Sequence, residues 1–306
     1  MRAIFVDANP SLAAVTERLL RPDDPPVAIH RDPDIRPDAL PAILAGHAIA
    51  IDDHTAFPTE MVKRCPELKH IVFLGTGARS YMDPEALAAE CGVAVHIIKG
   101  YGDTAVAEHA FALMWDAARR TAMMDAAVRR GEWPRPEGMQ LTGKTVGLLG
   151  VGGIGAEMAR LCRGIGMRVI AWNRTRREVP GVEFVPLEHL LAESQVLSIH
   201  LLLNEETRSF LDAARLARMR PGAILVNTAR GAIVDEAAMI AALRDGRLGH
   251  AALDVFAEEP LPKDHPLTRL PNVTLTSHAA FRTPEASDNL IEAALQHCRR
   301  IVREGR

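Results

Sequence analysis

The sequence positions Arg230, Glu259 and His278 each shortly after an apolar run typical of a buried strand. The runs are Ala223–Val226, Ala251–Val255 and Val273–Leu275. An arginine can grip a carboxylate with two parallel hydrogen bonds, and a histidine beside a carboxylate can exchange a proton near neutral pH. Each residue alone could be structural, Arg230 as a surface or cap residue and His278 as a packed histidine. Their succession after three strands favours proton transfer on a carboxylate-bearing substrate.

A glycine-rich turn between a predicted strand and a predicted helix supplies a second chemical element. The apolar run Val146–Leu149 leads into Gly150-Val151-Gly152-Gly153-Ile154-Gly155. Gly150 permits the turn, Gly152 lets the backbone approach a pyrophosphate, and Gly155 lets the helix pack closely on the sheet. The helix N-terminus adds unpaired N–H groups and the positive end of a dipole. This context predicts a dinucleotide site made by the glycines and Ile154.

The elements that must position these residues alternate between strands and helices, which predicts parallel sheets with right-handed crossovers. The predicted fold is α/β, with two doubly wound parallel-sheet domains. Residues 1–100 form one domain and residues 101–283 the other, and the terminal helix predicted from Pro284 to Val302 returns to cover the first. A single long helix from Thr104 to Arg130 is expected to connect them.

Composition excludes several classes of protein. The chain has 306 residues, of which 48% are hydrophobic and 25% charged, enough to bury a substantial core. A net charge of −3 and an aromatic fraction of 4% argue against a nucleic-acid partner. No apolar run reaches membrane-span length, and the short run Ala3–Val6 reads as a strand, not a signal sequence. We expect a cytoplasmic protein with no membrane or nucleic-acid partner.

Neither a metal site nor a disulfide framework is expected. The adjacent pair Glu108-His109 could supply two ligands, but no third ligand lies at a sensible spacing. The four cysteines are far apart and form no C-x-x-C pair, as in proteins of a reducing compartment.

At these residues the chain resembles the D-isomer-specific 2-hydroxyacid dehydrogenases, which include glyoxylate/hydroxypyruvate reductase, phosphoglycerate dehydrogenase and formate dehydrogenase. The resemblance extends over nearly the whole chain. Its motifs are Leu74-Gly75-Thr76-Gly77, Thr104-Ala105-Val106-Ala107-Glu108-His109, and the stretches 141–160, 227–236, 253–262 and 277–278. It implies a Rossmann NAD(P)-binding domain at residues 101–283. It also implies a smaller, flavodoxin-like substrate-binding domain at residues 1–100 plus 284–306.

The resemblance also implies a reaction and a set of roles. Hydride would pass between a nicotinamide and carbon 2 of a small 2-oxo or 2-hydroxy acid of D configuration. His278 would give a proton to the carbonyl oxygen, Glu259 would orient His278, and Arg230 would hold the substrate carboxylate. Domain closure would complete the site. Further substrate contacts are implied at Gly75, Thr76 and Gly77, and further cofactor contacts at Thr104, Ala229 and Asp254.

The loop after the second strand of the nucleotide domain departs from the NAD pattern. NAD enzymes usually carry an acidic residue there for the ribose 2′-hydroxyl, but this chain has Asn173, followed by Arg174-Thr175-Arg176-Arg177. Loss of the carboxylate and a run of guanidinium groups favour a 2′-phosphate. We therefore predict that Asn173, Arg174 and Thr175 contact the cofactor, with NADP preferred over NAD. The alternative is a solvated basic loop with Asn173 bonded to an NAD ribose.

The loop Asp52-Asp53-His54-Thr55 departs from relatives that bring an arginine to a second anionic group. Two aspartates would repel such a group, which predicts glyoxylate or hydroxypyruvate over 3-phosphoglycerate. Relatives also associate as dimers, and Trp133 lies in the corresponding arm, so a homodimer is expected. A dinucleotide-sensing, corepressor-like binding protein on the same fold is the alternative function. A methyltransferase would leave Arg230, Glu259 and His278 without a purpose.

Overall fold

The computed structural model describes residues 1–175 and 177–305 and divides them into two compact units. Unit 1 comprises Met1–Gly102 together with the segment from Arg282 onward, and unit 2 comprises Asp103–Phe281. Each unit is built on a parallel sheet. Within the described residues, no helix has the length and apolar character needed to cross a membrane.

Strands and helices alternate along the chain, as the fold class required. The strands are β1 (Ala3–Phe5), β2 (Val27–Ile29), β3 (Ile49–Asp52), β4 (His70–Phe73), β5 (Ala94–Ile97), β6 (Thr145–Leu149), β7 (Arg168–Trp172), β8 (Glu183–Phe184), β9 (Val196–Ile199), β10 (Ala223–Asn227), β11 (Leu248–Leu253) and β12 (Val273–Leu275). The helices are α1 (Pro10–Leu19), α2 (Leu40–Ile43), α3 (Thr59–Val62), α4 (Pro84–Ala86), α5 (Asp103–Arg119), α6 (Thr121–Arg129), α7 (Gly153–Gly164), α8 (Leu187–Glu193), α9 (Ala213–Arg218), α10 (Glu236–Arg244) and α11 (Pro284–Glu304).

The sheet of unit 1 has the strand order β2-β1-β3-β4-β5, with every pairing parallel. Apolar residues cover both faces of this sheet. On one face, Leu290, Ile291, Leu295 and Cys298 of α11 join the core formed by β1, β3 and α1. Helix α11 therefore belongs to the core of unit 1, although it comes last in the chain.

The sheet of unit 2 has the order β12-β11-β10-β9-β6-β7-β8, again all parallel, with a buried apolar cluster on each face. Strands β6, β9 and β10 are buried along their whole length, as expected for a sheet covered by helices on both sides. This is the doubly wound arrangement that the sequence predicted.

The predicted single helix from Thr104 to Arg130 is wrong in one respect. Arg120 adopts a left-handed conformation with φ 53°, which divides the stretch into α5 and α6. The Asp116 carboxylate, in the last turn of α5, accepts hydrogen bonds from the Thr121 hydroxyl and from the Ala122 amide, the latter 2.6 Å away. It therefore caps α6. Helix α5 is also more than a connector, because it packs on the sheet of unit 2 through buried residues including Met114.

Strand boundaries follow the sequence closely where the apolar run is continuous. The predictions for β7, β9 and β12 match the observed strands. The predicted strand Ala251–Val255 is wrong at both ends, because β11 begins at Leu248 and ends at Leu253. The Leu248-Gly249-His250 start is not an apolar run, and Asp254 ends the strand.

Candidate active site

The sheet of unit 2 brings the ends of β10, β11 and β12 side by side. Because these strands are parallel, the residues that follow them meet at one edge of the sheet. Arg230 comes three residues after β10, and His278 comes three residues after β12. Glu259 lies in the loop after β11. The topology therefore places all three predicted catalytic residues in loops at a single sheet edge.

His278 and Glu259 form a direct pair. His278 Nδ1 lies 2.6 Å from Glu259 Oε2, and the two side chains are 36% and 33% exposed. Glu259 Oε1 accepts a 2.9 Å bond from the Phe256 amide, which fixes the carboxylate on its own loop. Within residues 1–175 and 177–305, His278 Nε2 makes no hydrogen bond. The ring is thus oriented through one nitrogen and keeps the other for a ligand.

The Arg230 loop and the Glu259 loop are in backbone contact at Gly231. A Cβ atom at Gly231 would overlap the carbonyl group of Phe256 and the amide nitrogen of Ala257. Only glycine allows this approach. The contact joins the loop that carries Arg230 to the loop that carries Glu259.

The backbone before Arg230 is held by a buried asparagine at the end of β10. Asn227 Oδ1 accepts a 3.0 Å bond from the Ala229 amide, and its Nδ2 donates a 3.0 Å bond to the Arg230 carbonyl. Arg230 itself is exposed, and its Nη1 donates to the Ala229 carbonyl at 2.6 Å. A fixed backbone and an exposed guanidinium suit the capture of an anion.

A buried aspartate holds the loop of His278. Asp254 Oδ1 accepts a 3.0 Å bond from the Ala279 amide, and Oδ2 accepts a 2.9 Å bond from the Ala280 amide. The Asp254 carbonyl accepts a 2.8 Å bond from the His278 amide. His278 has φ 52°, a left-handed conformation that costs a residue with a side chain on the order of 1–3 kcal/mol. The three bonds stabilise that conformation.

The same aspartate has a low pKa. Burial raises the pKa of the Asp254 carboxyl, but hydrogen bonds from His109, Thr276 and the Ala279 and Ala280 amides outweigh it and lower the pKa to about 2. Asp254 was predicted as a cofactor contact. Its carboxylate is buried, and both oxygens accept bonds from the chain, so the role that the geometry displays is to hold the His278 loop.

Sequence reasoning assigned no role at this loop to two residues, Thr276 and His109. Thr276 Oγ1 donates a 2.6 Å bond to Asp254 Oδ1. His109 Nε2, on α5, lies 3.0 Å from Thr276 Oγ1 and 3.5 Å from Asp254 Oδ1. We call His109, Thr276 and Asp254 the first triplet. The signal that could have found them is a threonine on β12 with another just after it, Thr274 and Thr276, together with His109 and Asp116 seven residues apart on α5.

A second set of the same residue types lies further along the same elements. Thr274 Oγ1 donates a 2.6 Å bond to Asp116 Oδ2, and His250 Nε2 lies 2.8 Å from Thr274 Oγ1. Burial lowers the pKa of His250 to about 4, so this ring is neutral at physiological pH. Asp116, Thr274 and His250 form the second triplet, which makes no hydrogen bond to the described residues of the His278 loop.

The glycine turn has the shape that a dinucleotide requires. Gly150 has φ 96°, and a Cβ there would lie 2.9 Å from the His200 carbonyl oxygen. A Cβ at Gly155 would lie 2.5 Å from the Gly150 carbonyl oxygen, so the helix packs directly on the turn. At Gly152 a Cβ would meet no atom within 4 Å, and the N-terminus of α7 has no side-chain cap. The open backbone at this helix end fits a pyrophosphate.

Asn173 and the start of α5 lie at this turn. Gly153 lies against the Asp103 carboxyl, whose pKa is raised by burial, and Thr104 is the exposed next residue. Asn173 Oδ1 accepts a 2.6 Å bond from the Val151 amide, and its Nδ2 donates to the Val151 carbonyl at 3.3 Å. The side chain of Asn173 is therefore used to hold the glycine turn.

Arg174 and Thr175 are both exposed. Arg174 Nη1 pairs with Glu206 Oε2, and the two side chains are 74% and 69% exposed. Arg176, the next residue of the predicted basic run, lies outside the described residues. Sequence reasoning did not find Glu206, because it lies 32 residues away in the loop after β9.

The predicted substrate residues Gly75, Thr76 and Gly77 belong to unit 1, where they follow β4. Thr76 is exposed, and Gly75 has φ 146°, a region favourable to glycine. A Cβ atom at Gly77 would meet nothing within 4 Å. The backbone here is open, as a carboxylate grip by N–H groups needs.

The acidic loop of unit 1 is organised by Asp7, which follows β1. Its carboxylate accepts bonds of 2.9, 2.8 and 3.0 Å from the amides of Asp53, His54 and Thr55, and a 2.9 Å bond from the Thr55 hydroxyl. Asp52 is fully buried. Burial, together with the neighbouring Asp7, raises the pKa of Asp52 well above its ordinary value.

Asp53 differs from Asp52 because 29% of its side chain is exposed. Its pKa is raised by burial and by Asp7, while His54 and Arg282 act in the opposite direction. The sequence interpretation treated Asp52 and Asp53 as two charges facing a substrate. Asp52 is fully buried and presents no charge at the surface of the loop, whereas Asp53 is partly exposed.

Among the described residues, no group of three His, Cys, Asp or Glu side chains is arranged to hold a metal. Within unit 2 the set comprises the imidazole of His278, the carboxylate of Glu259, the exposed guanidinium of Arg230 and the glycine turn. Such a set can transfer a proton to an oxygen while a bound cofactor exchanges hydride.

Comparison with known proteins agrees with this chemistry. A family model described as D-isomer specific 2-hydroxyacid dehydrogenase, NAD binding domain, matches residues 111–280. A glyoxylate reductase of Aeropyrum pernix is 42% identical over 256 residues, which are 77% of this chain and 76% of that protein. A glycerate dehydrogenase of Methylorubrum extorquens is 33% identical over 277 residues, covering 87% of this chain and 86% of the relative.

A solved structure extends the similarity to both units. The acyclic imino acid reductase Bsp5, in complex with NADPH and D-Arg, is similar with a TM-score of 0.86 at 27% identity. The similarity covers 99% of this chain and 98% of that one.

Proposed function

The chain belongs to the D-isomer specific 2-hydroxyacid dehydrogenases, and from that membership we propose that it reduces a glyoxylate- or hydroxypyruvate-type 2-oxo acid, preferentially with NADPH. As a member, it is an NAD(P)-dependent oxidoreductase that moves a hydride between the dinucleotide and a 2-oxo or 2-hydroxy acid. The observation that carries the proposed site is the 2.6 Å pair of His278 and Glu259 beside the Arg230 loop.

His278 and Arg230 divide the work on the substrate. The ring of His278, held by Glu259 through Nδ1, carries a proton on Nε2 and gives it to the carbonyl oxygen. The exposed guanidinium of Arg230 binds the substrate carboxylate and polarises the carbonyl. A nicotinamide bound in this domain would supply the hydride for carbon 2, so that hydride and proton together convert the 2-oxo acid to the 2-hydroxy acid. In oxidation His278 takes the proton back.

We propose that the glycine turn holds the pyrophosphate through the open N-terminus of α7. Thr104, Ala229 and Asp254 are proposed to contribute to the same cofactor site, Asp254 chiefly by positioning. The N–H groups of Thr76 and Gly77 are proposed as a second grip for the substrate carboxylate. Support for this grip is the open backbone after β4.

The preference for NADPH is supported by the loop after β7. Asn173 carries no charge against a 2′-phosphate, and Arg174 is exposed. The partner of Arg174 is the exposed Glu206, and exposed pairs of this kind contribute only about 0–1 kcal/mol. A 2′-phosphate can therefore recruit the guanidinium at small cost. The relative Bsp5 was solved with NADPH, which supports the same preference.

Two changes test this preference. Arg174→Ala is expected to raise the Kd for NADPH about tenfold and to leave the Kd for NADH within about twofold, since one charge-assisted contact is lost. Glu206→Gln is the matched control and should lower the Kd for NADPH. A higher kcat/KM with NADH than with NADPH in the unmodified protein would contradict the preference.

The substrate preference is supported by Asp53, the partly exposed carboxyl of the acidic loop. A second anionic group on the substrate would be repelled by this side chain if it were charged. Glyoxylate, hydroxypyruvate and the phosphorylated acid should be assayed side by side with both reduced cofactors. Efficient turnover of the phosphorylated acid would contradict the proposal, and no turnover of any 2-oxo acid would favour a binding protein.

We also propose that the protein is a homodimer and that it acts in the cytoplasm without nucleic acid. The exposed side chains of Val128 at the end of α6 (48% accessible) and of Trp133 after it (74%) support association through this part of the chain. The net charge of −3 supports the absence of a nucleic-acid partner. Light scattering of the protein and of Trp133→Ser tests the dimer. A monomeric mass for the unmodified protein would exclude it.

A further inference from the structure

We propose that His109 is a positioning residue: through Thr276 and Asp254 it fixes the backbone at His278 and hence the ring of His278 against Glu259. The inference rests on the proposed role of His278 as the proton donor. It gives a function to a residue on α5 that the sequence analysis placed in a family motif and weighed as a metal ligand, but to which it assigned no role.

The direction of the hydrogen bonds in the first triplet follows from its chemistry. With a pKa of about 2, the Asp254 carboxylate can only accept bonds near neutral pH. Thr276 therefore donates its single hydroxyl hydrogen to Asp254 over 2.6 Å. Toward His109 Nε2, 3.0 Å away, the hydroxyl can only accept, so His109 carries a hydrogen on Nε2. The donor and the acceptor are therefore assigned in both hydrogen bonds that lead from His109 through Thr276 to Asp254.

The far end of that chain is the His278 loop. Asp254 accepts from the amides of His278, Ala279 and Ala280, through its carbonyl and both carboxylate oxygens. These bonds hold a left-handed residue that would otherwise relax to commoner backbone angles. Relaxation would move the ring away from Glu259, and a displacement of about 1 Å in a catalytic group can cost about 100-fold in rate.

The second triplet provides an internal control. Thr274 donates to Asp116 and accepts from His250, the same order of bonds as in the first triplet. It also joins α5, β11 and β12, but the histidine and the aspartate have exchanged places. Damage to the second triplet should weaken the same packing without reaching His278.

The experiment compares Thr276→Val with Thr274→Val and His109→Leu with His109→Gln. Valine removes the hydroxyl at nearly constant shape, and glutamine keeps an N–H donor that leucine lacks. Three quantities are measured in each variant: kcat and KM for glyoxylate with NADPH, the melting temperature, and the low-field proton NMR signal of the His278–Glu259 bond. That signal is assigned by its loss in His278→Gln.

We expect Thr276→Val and His109→Leu to lower kcat about 10- to 100-fold, with a smaller change in KM, and to weaken or abolish the low-field signal. Thr274→Val should lower the melting temperature similarly but keep kcat within about twofold and retain the signal. His109→Gln should recover most of the kcat. Equal kcat losses in the two valine variants, or an unchanged signal in Thr276→Val, would overturn the inference.

Different measurements test the proposed role of His278 and the positioning role of His109. If His278→Gln keeps the full kcat, the proposed role of His278 is wrong. The histidine–carboxylate signal in the two valine variants still decides whether the first triplet positions the ring.

Discussion

Two buried aspartates, Asp7 in unit 1 and Asp254 in unit 2, each hold a loop of their own unit by the same kind of hydrogen bonds. Each follows a strand, and each accepts bonds from at least two loop amides and one threonine hydroxyl. Each of the loops carries a histidine, His54 or His278, within reach of a carboxylate. In both units a buried aspartate after a parallel strand thus fixes the backbone of a loop. We call each of these aspartates, together with the loop that it holds, a clasp.

The groups behind the two aspartates differ. Asp7 faces the buried carboxyl of Asp52, and the pKa of Asp52 is raised by burial and by Asp7. Asp254 instead faces the hydroxyl of Thr276 and the ring of His109. A second carboxyl disfavours charge in the cluster, whereas donors favour it. The neighbourhood of Asp7 therefore raises the pKa of a buried carboxyl in unit 1, whereas the donors around Asp254 lower its pKa in unit 2.

The largest contrast should be between the two histidines. We expect His278→Gln to lower kcat about 1000-fold, because general acid–base catalysis contributes roughly 10²- to 10⁴-fold. His54→Gln should stay within about threefold. Steady-state kinetics with glyoxylate and NADPH measures both. Comparable losses in the two variants would remove the functional distinction between the clasps.

The carboxylates beside the histidines should differ less, but in the same sense. Glu259→Gln is expected to lower kcat about 10- to 100-fold. A glutamine has one carbonyl oxygen, which cannot serve both the Phe256 amide and His278, as Glu259 does. Asp53→Asn should change kcat for glyoxylate less than about threefold. Dinucleotide affinity, measured by fluorescence, is the control and should stay constant in both variants.

Stability should respond with opposite signs at Asp52 and Asp254. The pKa of Asp52 is raised in the folded protein, so its contribution is present at acid pH and lost as the pH rises above the ordinary carboxyl range. Asp254, with a pKa of about 2, contributes above the ordinary value of 3.8, and the contribution disappears as the pH falls toward 2.

Asp52→Asn should therefore raise the free energy of unfolding at pH 8 by about 1–2 kcal/mol, since it removes a buried carboxyl with an unpaired oxygen. Asp254→Asn should lower it by about 1–3 kcal/mol at the same pH, because an amide cannot accept all of the bonds to the carboxylate. Denaturant unfolding at pH 8 and pH 4 measures both. Stabilisation by both substitutions would show that the two clasps are equivalent.

The smallest effect is expected from Thr55→Val. It removes one hydroxyl bond to Asp7 and leaves the three amide bonds of that clasp intact. The free energy of unfolding should fall by about 1 kcal/mol, with kcat within about twofold. Thermal unfolding and a glyoxylate assay are sufficient. A kcat loss as large as that of Thr276→Val would contradict the difference between the units.

Much of this architecture could be predicted from the sequence, because the patterns are local. The glycine spacing after Val146–Leu149 specified a strand, a turn and a helix, and the structure has β6 and α7 there. Continuous apolar runs predicted β7, β9 and β12 with their observed bounds. Likewise, the positions of Arg230, Glu259 and His278 after successive strands indicate one sheet edge from the sequence alone.

The clasps could not be predicted, because their partners are distant in the chain. Asp7 binds amides 46–48 residues away, and His109 meets Thr276 across 167 residues. Periodicity reports which face of an element is apolar, but not which polar groups meet once the sheet has formed. The break at Arg120 was missed for a similar reason. The N-cap position of α6 is Arg120, whereas the carboxylate that caps the helix belongs to Asp116, four residues earlier in α5.

The backbone contact at Gly231 has a consequence for protein engineering. Since the segments 227–231 and 254–259 touch without an intervening side chain, neither can be reshaped alone. A chimera that borrows only one of them from a relative would misalign the guanidinium and the acid–imidazole couple, whereas a paired transplant would carry both over in register. Substrate redesign in this enzyme should therefore exchange the two segments as a single cassette.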